Sequence, residues 1–300
     1  MGYLFLSLAL AVGVTKGYCG KRTSGAIAHS SDSMVMNGLR MGLCVLIGLL
    51  LILLQGEAAT LVGDRALVWI SLLSGLSTAT FVVAWLLAVR GGAYMMVEVF
   101  GLIGVIVPIT LCRCFMDEPI SLRQIVAIGI LVVAVYIMCT YNTSIAGKLT
   151  PSAIAVLVLC GLGNGFADFS QKLFVKVRPE GNIAAFNVYT YLFAGILLLI
   201  ACVVFRRADK KRGAELRPPL AIIKPVRLYV LIMATCLFAY SFFKTRAAGY
   251  LDAIQLYPLS QGASVLLSLL MSSLIFGEKV NLRCIVGVVL SFAALLMINL

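Results

Sequence analysis

Asp117-Glu118-Pro119-Ile120-Ser121-Leu122-Arg123-Gln124-Ile125-Val126 and Gly277-Glu278-Lys279-Val280-Asn281-Leu282-Arg283-Cys284-Ile285-Val286 are one turn written twice. Between position 118 and position 278, an offset of 160 residues, Glu, Leu, Arg, Ile and Val recur in register. Each stretch follows one apolar run and opens the next, so the chain reads as a duplication, with one repeat at about 1–147 and a second at 150–300. The first run of each repeat also carries a GxxxG, Gly13 with Gly17 and Gly161 with Gly165. Small-xxx-small spacing lets membrane helices approach closely.

Apolar residues make up 62% of the 300, and the mean hydropathy is +1.06. A soluble domain of that size cannot hide so much apolar surface. About 20 apolar residues at ~1.5 Å each match a hydrocarbon core of roughly 30 Å. The runs divide into ten predicted helices at 2–19, 33–54, 66–89, 94–113, 121–140, 152–174, 183–205, 226–246, 253–276 and 282–299. In lipid only helices or closed barrels satisfy the backbone, and these runs are too long for strands. Thr150-Pro151 supplies a capping hydroxyl before a proline at the first helical position. Gly91-Gly92 and Gly181-Asn182 punctuate two further boundaries. The expected fold is an all-α polytopic membrane protein, two repeats of five helices each.

Five is odd, so corresponding helices of the two repeats cross the bilayer in opposite directions. Inverted repeats have two near-equivalent packings, one open to each side, which is the basis of alternating access. That points to a transporter. Intramembrane catalysis finds no HExxH, no GxSxG and no Cys/His or His/Asp set. A lipid flippase is the other reading, since the basic segment 206–227 can meet lipid phosphates.

Polar side chains inside apolar helices are costly unless they face the bundle interior or water, so each is a candidate for the solute or proton pathway. Glu98, in Tyr94-Met95-Met96-Val97-Glu98-Val99-Phe100, is a candidate proton carrier or partner for a cationic group; pairing with Arg90 is the structural alternative. On the sixth helix Asn164, Asp168 and Gln171 or Lys172 form one stripe at i, i+4 and i+7 or i+8. An Asp168–Lys172 pair that neutralises itself is the alternative there. Lys16 lies deep in the first helix and either attracts an anion or snorkels; Arg40 and Lys244 invite the same two readings. Tyr257 and Gln261, one turn apart around Pro258, make a hydrogen-bonding wall for a polar solute, to which Asn187 and Tyr191 contribute. Glu118, Arg123, Glu278 and Arg283 belong to the repeat-end turns and are read as structural. The nine cysteines sit mostly in apolar runs, where cysteine acts as a small hydrophobe. Cys112 and Cys114 lack a second pair, so no metal site and no cofactor is expected.

The chain carries a net charge of +12, and eight of its 24 basic residues lie between Arg206 and Arg227. Beside membrane spans such charge reports orientation and headgroups, and no aromatic-interleaved surface suggests nucleic acid. The connections that follow odd-numbered helices hold fourteen basic residues and the others hold eight, which places both termini outside.

Ten helices in about 300 residues, with a Gly/Asp-Glu-x-[IV]-x-Leu-Arg-x-Ile-Val turn ending each half, resemble the drug/metabolite transporter superfamily, EamA type. Pro108 and Pro258, in the fourth and ninth helices, match another family mark at different heights. The resemblance implies proton-coupled or exchange-type movement of a small polar metabolite, such as an amino acid or sugar, across the cytoplasmic membrane. It places the termini inside, against the charge count. Expected partners are the bilayer, a small-molecule substrate and a coupling proton, with the unit a monomer or homodimer.

Overall fold

The computed structural model describes residues 1–300 except 63, 91–99, 102–103, 147–149, 214–215, 277–281 and 300. Among the described residues the regular structure is helical: α1 Gly2–Ser24, α2 Ser30–Leu54, α3 Arg65–Arg90, α4 Ile106–Met116, α5 Leu122–Ala146, α6 Pro151–Val177, α7 Ile183–Lys211, α8 Arg227–Ala248, α9 Ala253–Phe276 and α10 Leu282–Asn299. Short helical turns at Ala58–Leu61 and Pro219–Ile223 stand before α3 and α8. Among the described residues, six segments are long and apolar enough to cross a bilayer: Gly2–Thr23, Ser30–Leu54, Arg65–Ala88, Pro151–Val177, Ile183–Lys211 and Pro219–Ala248. Shorter apolar helical stretches occupy Ile106–Met116, Leu122–Ala134 and Ile285–Ile298.

The helix ends follow local chemistry. Thr150 Oγ1 accepts from Ala153 N at 3.3 Å, with Pro151 in the first turn of α6. Asn182 Oδ1 accepts from Ala185 N at 2.9 Å and opens α7. α2 starts at Ser30, three residues before the expected 33, because Asp32 Oδ2 accepts from His29 N and Ala28 N, each at 3.1 Å. α7 runs to Lys211 and not 205, because a basic, solvated tail can prolong a helix beyond the lipid. α4 stops at Asp117, whose φ of 54° is left-handed. A short polar side chain tolerates that conformation better than most.

Interfaces between the halves dominate the packing. α1 lies on α8, α2 on α7, α3 on α6 and α7, and α5 on α10; α8 also meets α2, α4 meets α6, and α1 meets α9. The sharpest approach is α4 on α6. A Cβ at Gly104 would overlap the carbonyl of Gly161, and one at Gly165 would overlap the carbonyl of Gly104. Gly163 turns to the next face of α6, where a Cβ would stand 2.8 Å from Phe81 N of α3. The GxxxG of the second half is therefore a backbone-to-backbone seam, in which packing and not hydrophobic expulsion holds helices together. The main apolar core gathers Met41, Cys44, Leu86, Phe174, Phe186, Leu198 and Phe238. Outward, Leu46, Leu50, Leu199, Val203, Ile125 and Val289 are exposed, as lipid-facing side chains should be.

Each end of the bundle is tied by loops of both halves. At the start of α7, Asn182 bonds Glu57, Arg178 pairs with Asp64, and Tyr189 Oη donates to Leu61 O at 2.7 Å. α7 ends 29 residues later, roughly 43 Å away. There Ser31 N donates to Asp209 Oδ2 at 3.1 Å, and Arg217 Nη2 donates to Asp32 Oδ2 at 2.5 Å and to Ala26 O at 2.8 Å.

Candidate functional site

The glycine seam on α6 brings Asp168, Gln171 and Lys172 into the bundle one and two turns farther along. All three are buried. Asp168 pairs with Lys244 of α8, Nζ to Oδ1 at 2.7 Å, with side chains only 5% and 3% exposed. Lys172 instead reaches Glu118 Oε1 at 2.9 Å and donates to Leu251 O at 2.6 Å. The expected local alternative, an Asp168–Lys172 pair, is thus replaced by two tertiary pairs. The reason lies in the neighbours: α8 faces Asp168, while the loop after α4 faces the next turn.

Tyr257 of α9 completes the centre. It is fully buried, its Oη donates to the backbone oxygen of Asp168 at 2.6 Å, and its ring centroid lies 5.4 Å from Lys244 Nζ. Its hydroxyl is taken up by the α6 backbone, so Tyr257 braces the turn that carries Asp168. Tyr240, one turn before Lys244, has two ammonium groups over its ring, Lys244 at 5.5 Å and Lys16 of α1 at 4.4 Å. Lys16 points to this ring, an attractive placement in a desolvated setting. Tyr240 Oη and Ser260 Oγ stand 3.5 Å apart.

A second chain of polar groups continues from the pair. Gln171 Nε2 donates to Ser241 Oγ at 3.4 Å, Ser241 Oγ donates to Asn187 Oδ1 at 2.8 Å, and Tyr191 Oη donates to Leu237 O at 3.2 Å. Several buried atoms along it have no hydrogen-bond partner among the described residues: Gln171 Oε1, Asn187 Nδ2, Thr190 Oγ1, Thr245 Oγ1 and Arg40 Nε. A buried polar atom left unpaired costs about 1–3 kcal/mol, so a cluster of them is a candidate place for a ligand or water.

Of the residues expected from sequence, Asp168, Lys244, Tyr257 and Lys16 fall in the first cluster, Asn187 in the second chain, and Tyr191 on the α8 backbone at Leu237. Asn164 is half-buried one turn before Asp168. Gln261, one turn beyond Tyr257, lies against Gly101, where a Cβ would come 2.5 Å from its Nε2. Glu98 and Glu278, and the side chain of Arg283, lie outside the described residues. Besides Lys172, Glu118 has a second partner: its Oε2 accepts from Ala253 N at 2.7 Å and caps α9. Arg123 Nε donates to Met297 O at 3.0 Å, joining α5 to α10. Tyr240 and Ser241 escaped the sequence reading. Their signal was spacing, because Tyr240, Ser241 and Lys244 interrupt an otherwise apolar α8 at i, i+1 and i+4.

An open cleft of about 430 Å³ lies at one end of the bundle, lined by residues including Asp64, Phe174, Arg178, Glu180 and Asn182, away from the central pair. Among the described residues no group of three His, Cys, Asp or Glu side chains is placed to hold a metal ion.

A model of the EamA-like transporter family matches residues 151–300. The whole chain is similar in fold to a protein of known crystal structure, with a TM-score of 0.75 at 12% identity, over 99% of this chain and 96% of that one. No curated protein matches the chain.

Proposed function

Because the chain belongs to the EamA-like transporter family, we propose that it is a secondary active transporter that carries a small polar metabolite across the cytoplasmic membrane by alternating access. The family lies within the drug/metabolite transporter superfamily, and the apolar helices make the chain a multi-pass membrane protein.

One observation carries the mechanism. If each helix of the first half is matched to the one five places later, the major interfaces map onto each other. α1 on α8 becomes α6 on α3, α1 on α9 becomes α6 on α4, and α3 on α7 becomes α8 on α2, while α2 on α7 and α5 on α10 map onto themselves. This exchange of interfaces supports the reading of the chain as a duplicated bundle, with a two-fold relation between repeats 1–147 and 150–300. In this reading five helices of each repeat cross the bilayer, the relation is an inversion, and the two packings it permits expose the centre to one side and then the other.

In this reading the Asp168–Lys244 pair sits in the wall of the transport chamber. A paired charge is the form in which an acid and an amine can be kept at membrane depth, and either can exchange its partner for a solute group. Asp168 and Glu98 are the proton-carrying candidates. At one end, Glu118–Lys172 and Asp64–Arg178 bind first-half loops to second-half helices, so both pairs must separate when that end opens.

Flux of labelled solutes into proteoliposomes, with and without an imposed pH gradient, tests the proposal. Uptake of at least one small polar solute that responds to the gradient or to solute on the far side is the expected result. Absence of solute flux, with movement of labelled lipid headgroups in its place, refutes it.

A further inference from the structure

Where α7 leaves the membrane, its lipid-facing stripe turns into a row of cations. Leu199, Ile200, Val203 and Val204 are exposed apolar side chains on this helix. Arg207, Lys210 and Lys211 follow Val203 by four, seven and eight residues in the same unbroken helix, so they continue that face. All three are exposed. At ~1.5 Å per residue they stand roughly 6–12 Å beyond Val203. The polar headgroup layer is about 5–8 Å deep on each side of the hydrocarbon, so the row falls within and just above it. α8 enters at the same end in the same way. Arg227, its first residue, stands one turn before the exposed Leu231, and Lys224 lies in the turn that precedes it.

The acids of this corner are turned inward. Segment 206–227 holds eight basic residues and two acids, Asp209 and Glu215, the latter outside the described residues. Asp209 is buried and accepts from Ser31 N at 3.1 Å, and the buried Asp32 of α2 takes Arg217 Nη2 at 2.5 Å. Arg206 Nη2 donates to Arg217 O at 3.2 Å. These ties strap the connection to the start of α2. They leave Arg207, Lys210, Lys211, Arg212, Lys224 and Arg227 exposed, with no ion pair to an acid among the described residues. Between the two groups of cations, the short turn Pro219–Ile223 buries Ile222 in a cluster with Met36 and Val230 and holds Leu220 outward, 75% exposed. An apolar side chain framed by cations is the composition of an interfacial anchor. The opposite end of the bundle differs: there Asp64 pairs with Arg178, and the cleft they line includes Glu180.

We propose that the α7–α8 corner is a docking surface for the headgroups of anionic phospholipids, held by Arg207, Lys210 and Lys211 on one side and Lys224 and Arg227 on the other. The proposal goes beyond the transporter reading and stands whether or not a solute is carried. Nucleic acid or an acidic protein is the weaker fit, because the cations prolong two lipid-facing stripes and so lie against the bilayer surface. The strapping by Asp32 and Asp209 makes the surface preformed, with its charges held at headgroup level before any lipid arrives.

The test loads the purified full-length protein, in neutral detergent, with an equimolar mixture of phosphatidylglycerol and phosphatidylcholine and counts the lipids that stay bound by native mass spectrometry. Phosphatidylglycerol should be enriched several-fold at low salt and much less at 1 M salt, where screening acts within ~3 Å. Arg207→Gln/Lys210→Gln/Lys211→Gln should lower the enrichment at least ~5-fold, the contribution of a single engaged Lys or Arg. Arg65→Gln/Lys176→Gln/Arg246→Gln removes the same charge from the opposite end and should leave the enrichment in place. Equal retention of the two lipids overturns the proposal, as does enrichment that the α7 variant leaves unchanged or that both triple variants lose alike. Binding of RNA or an acidic peptide without a lipid preference overturns it too. If the α7 variant does not fold, Lys224→Gln/Arg227→Gln and the salt dependence of the wild type decide by the same criteria.

Discussion

Breaking the pair at the centre of the bundle should cost far more than deleting it. At 2.7 Å, Asp168 and Lys244 attract by about 6 kcal/mol at an effective dielectric constant of 20. Much of that offsets the desolvation of two nearly inaccessible ions. In Lys244→Met the compensation vanishes and the Asp168 carboxylate is stranded, with an expected loss of about 3–5 kcal/mol. Asp168→Asn strands the ammonium and should cost a similar amount, eased by the Tyr240 and Tyr257 rings that remain beside it. The double variant Asp168→Asn/Lys244→Met removes both charges at roughly conserved volume, and its stability should return to within about 1–2 kcal/mol of the parent. The coupling energy of the cycle is then at least ~3 kcal/mol, a factor of roughly 100 in the folding equilibrium. Denaturant titration in mixed micelles, followed by the fluorescence of Trp69 and Trp85 on α3, measures all four corners. Additivity within about 0.5 kcal/mol would show that the two side chains act independently and refute the buried pair as the organising contact. Transport measured on the double variant separates stability from function, because a purely structural pair predicts that flux recovers with folding.

Other perturbations test the seam, the brace, the end tie and the orientation. Gly104→Val places atoms where the Gly161 carbonyl already stands and should cost about 3 kcal/mol or more, whereas Gly42→Ala, at a site with nothing within 4 Å, should be neutral or slightly stabilising; thermal unfolding compares them. Tyr257→Phe removes the hydroxyl bonded to Asp168 O and should lower stability by about 1 kcal/mol, and an unchanged melting temperature would deny that hydroxyl a bracing role. Glu118→Ala deprives Lys172 of its partner and Ala253 N of its cap together, so labelling of a cysteine placed at Leu251 by a water-soluble maleimide should rise several-fold, in a background lacking the native thiols. A topology reporter fused after Leu300 should read outside if the eight basic residues of 206–227 obey the positive-inside rule, and a cytoplasmic signal would mean that family habit prevails over the charge count.

Helix existence was legible in the chain because it depends on local quantities: the length of an apolar run against lipid thickness, a hydroxyl or amide before the first turn, a glycine or proline at a break. The polar candidates were legible for the same reason, since an Asp or Lys in an apolar run must find a partner wherever the run ends up. Which partner was not. Asp168 has Lys172 four residues away and chooses Lys244, 76 residues away, while Lys172 takes Glu118 from the other half. Nothing in spacing distinguishes these outcomes, because helix–helix rotation and the approach allowed by Gly104, Gly161 and Gly165 decide which faces meet. Tyr257 carries the same lesson: its position near Pro258 was visible, but the use of its hydroxyl depended on where α6 passed. Sequence alone determined an all-helical, membrane-embedded chain with scarce and therefore meaningful charges. Tertiary structure decided that Asp168 pairs with Lys244 and Lys172 with Glu118, since pairing in a low-dielectric interior is governed by ångström-scale proximity that the order of residues does not encode.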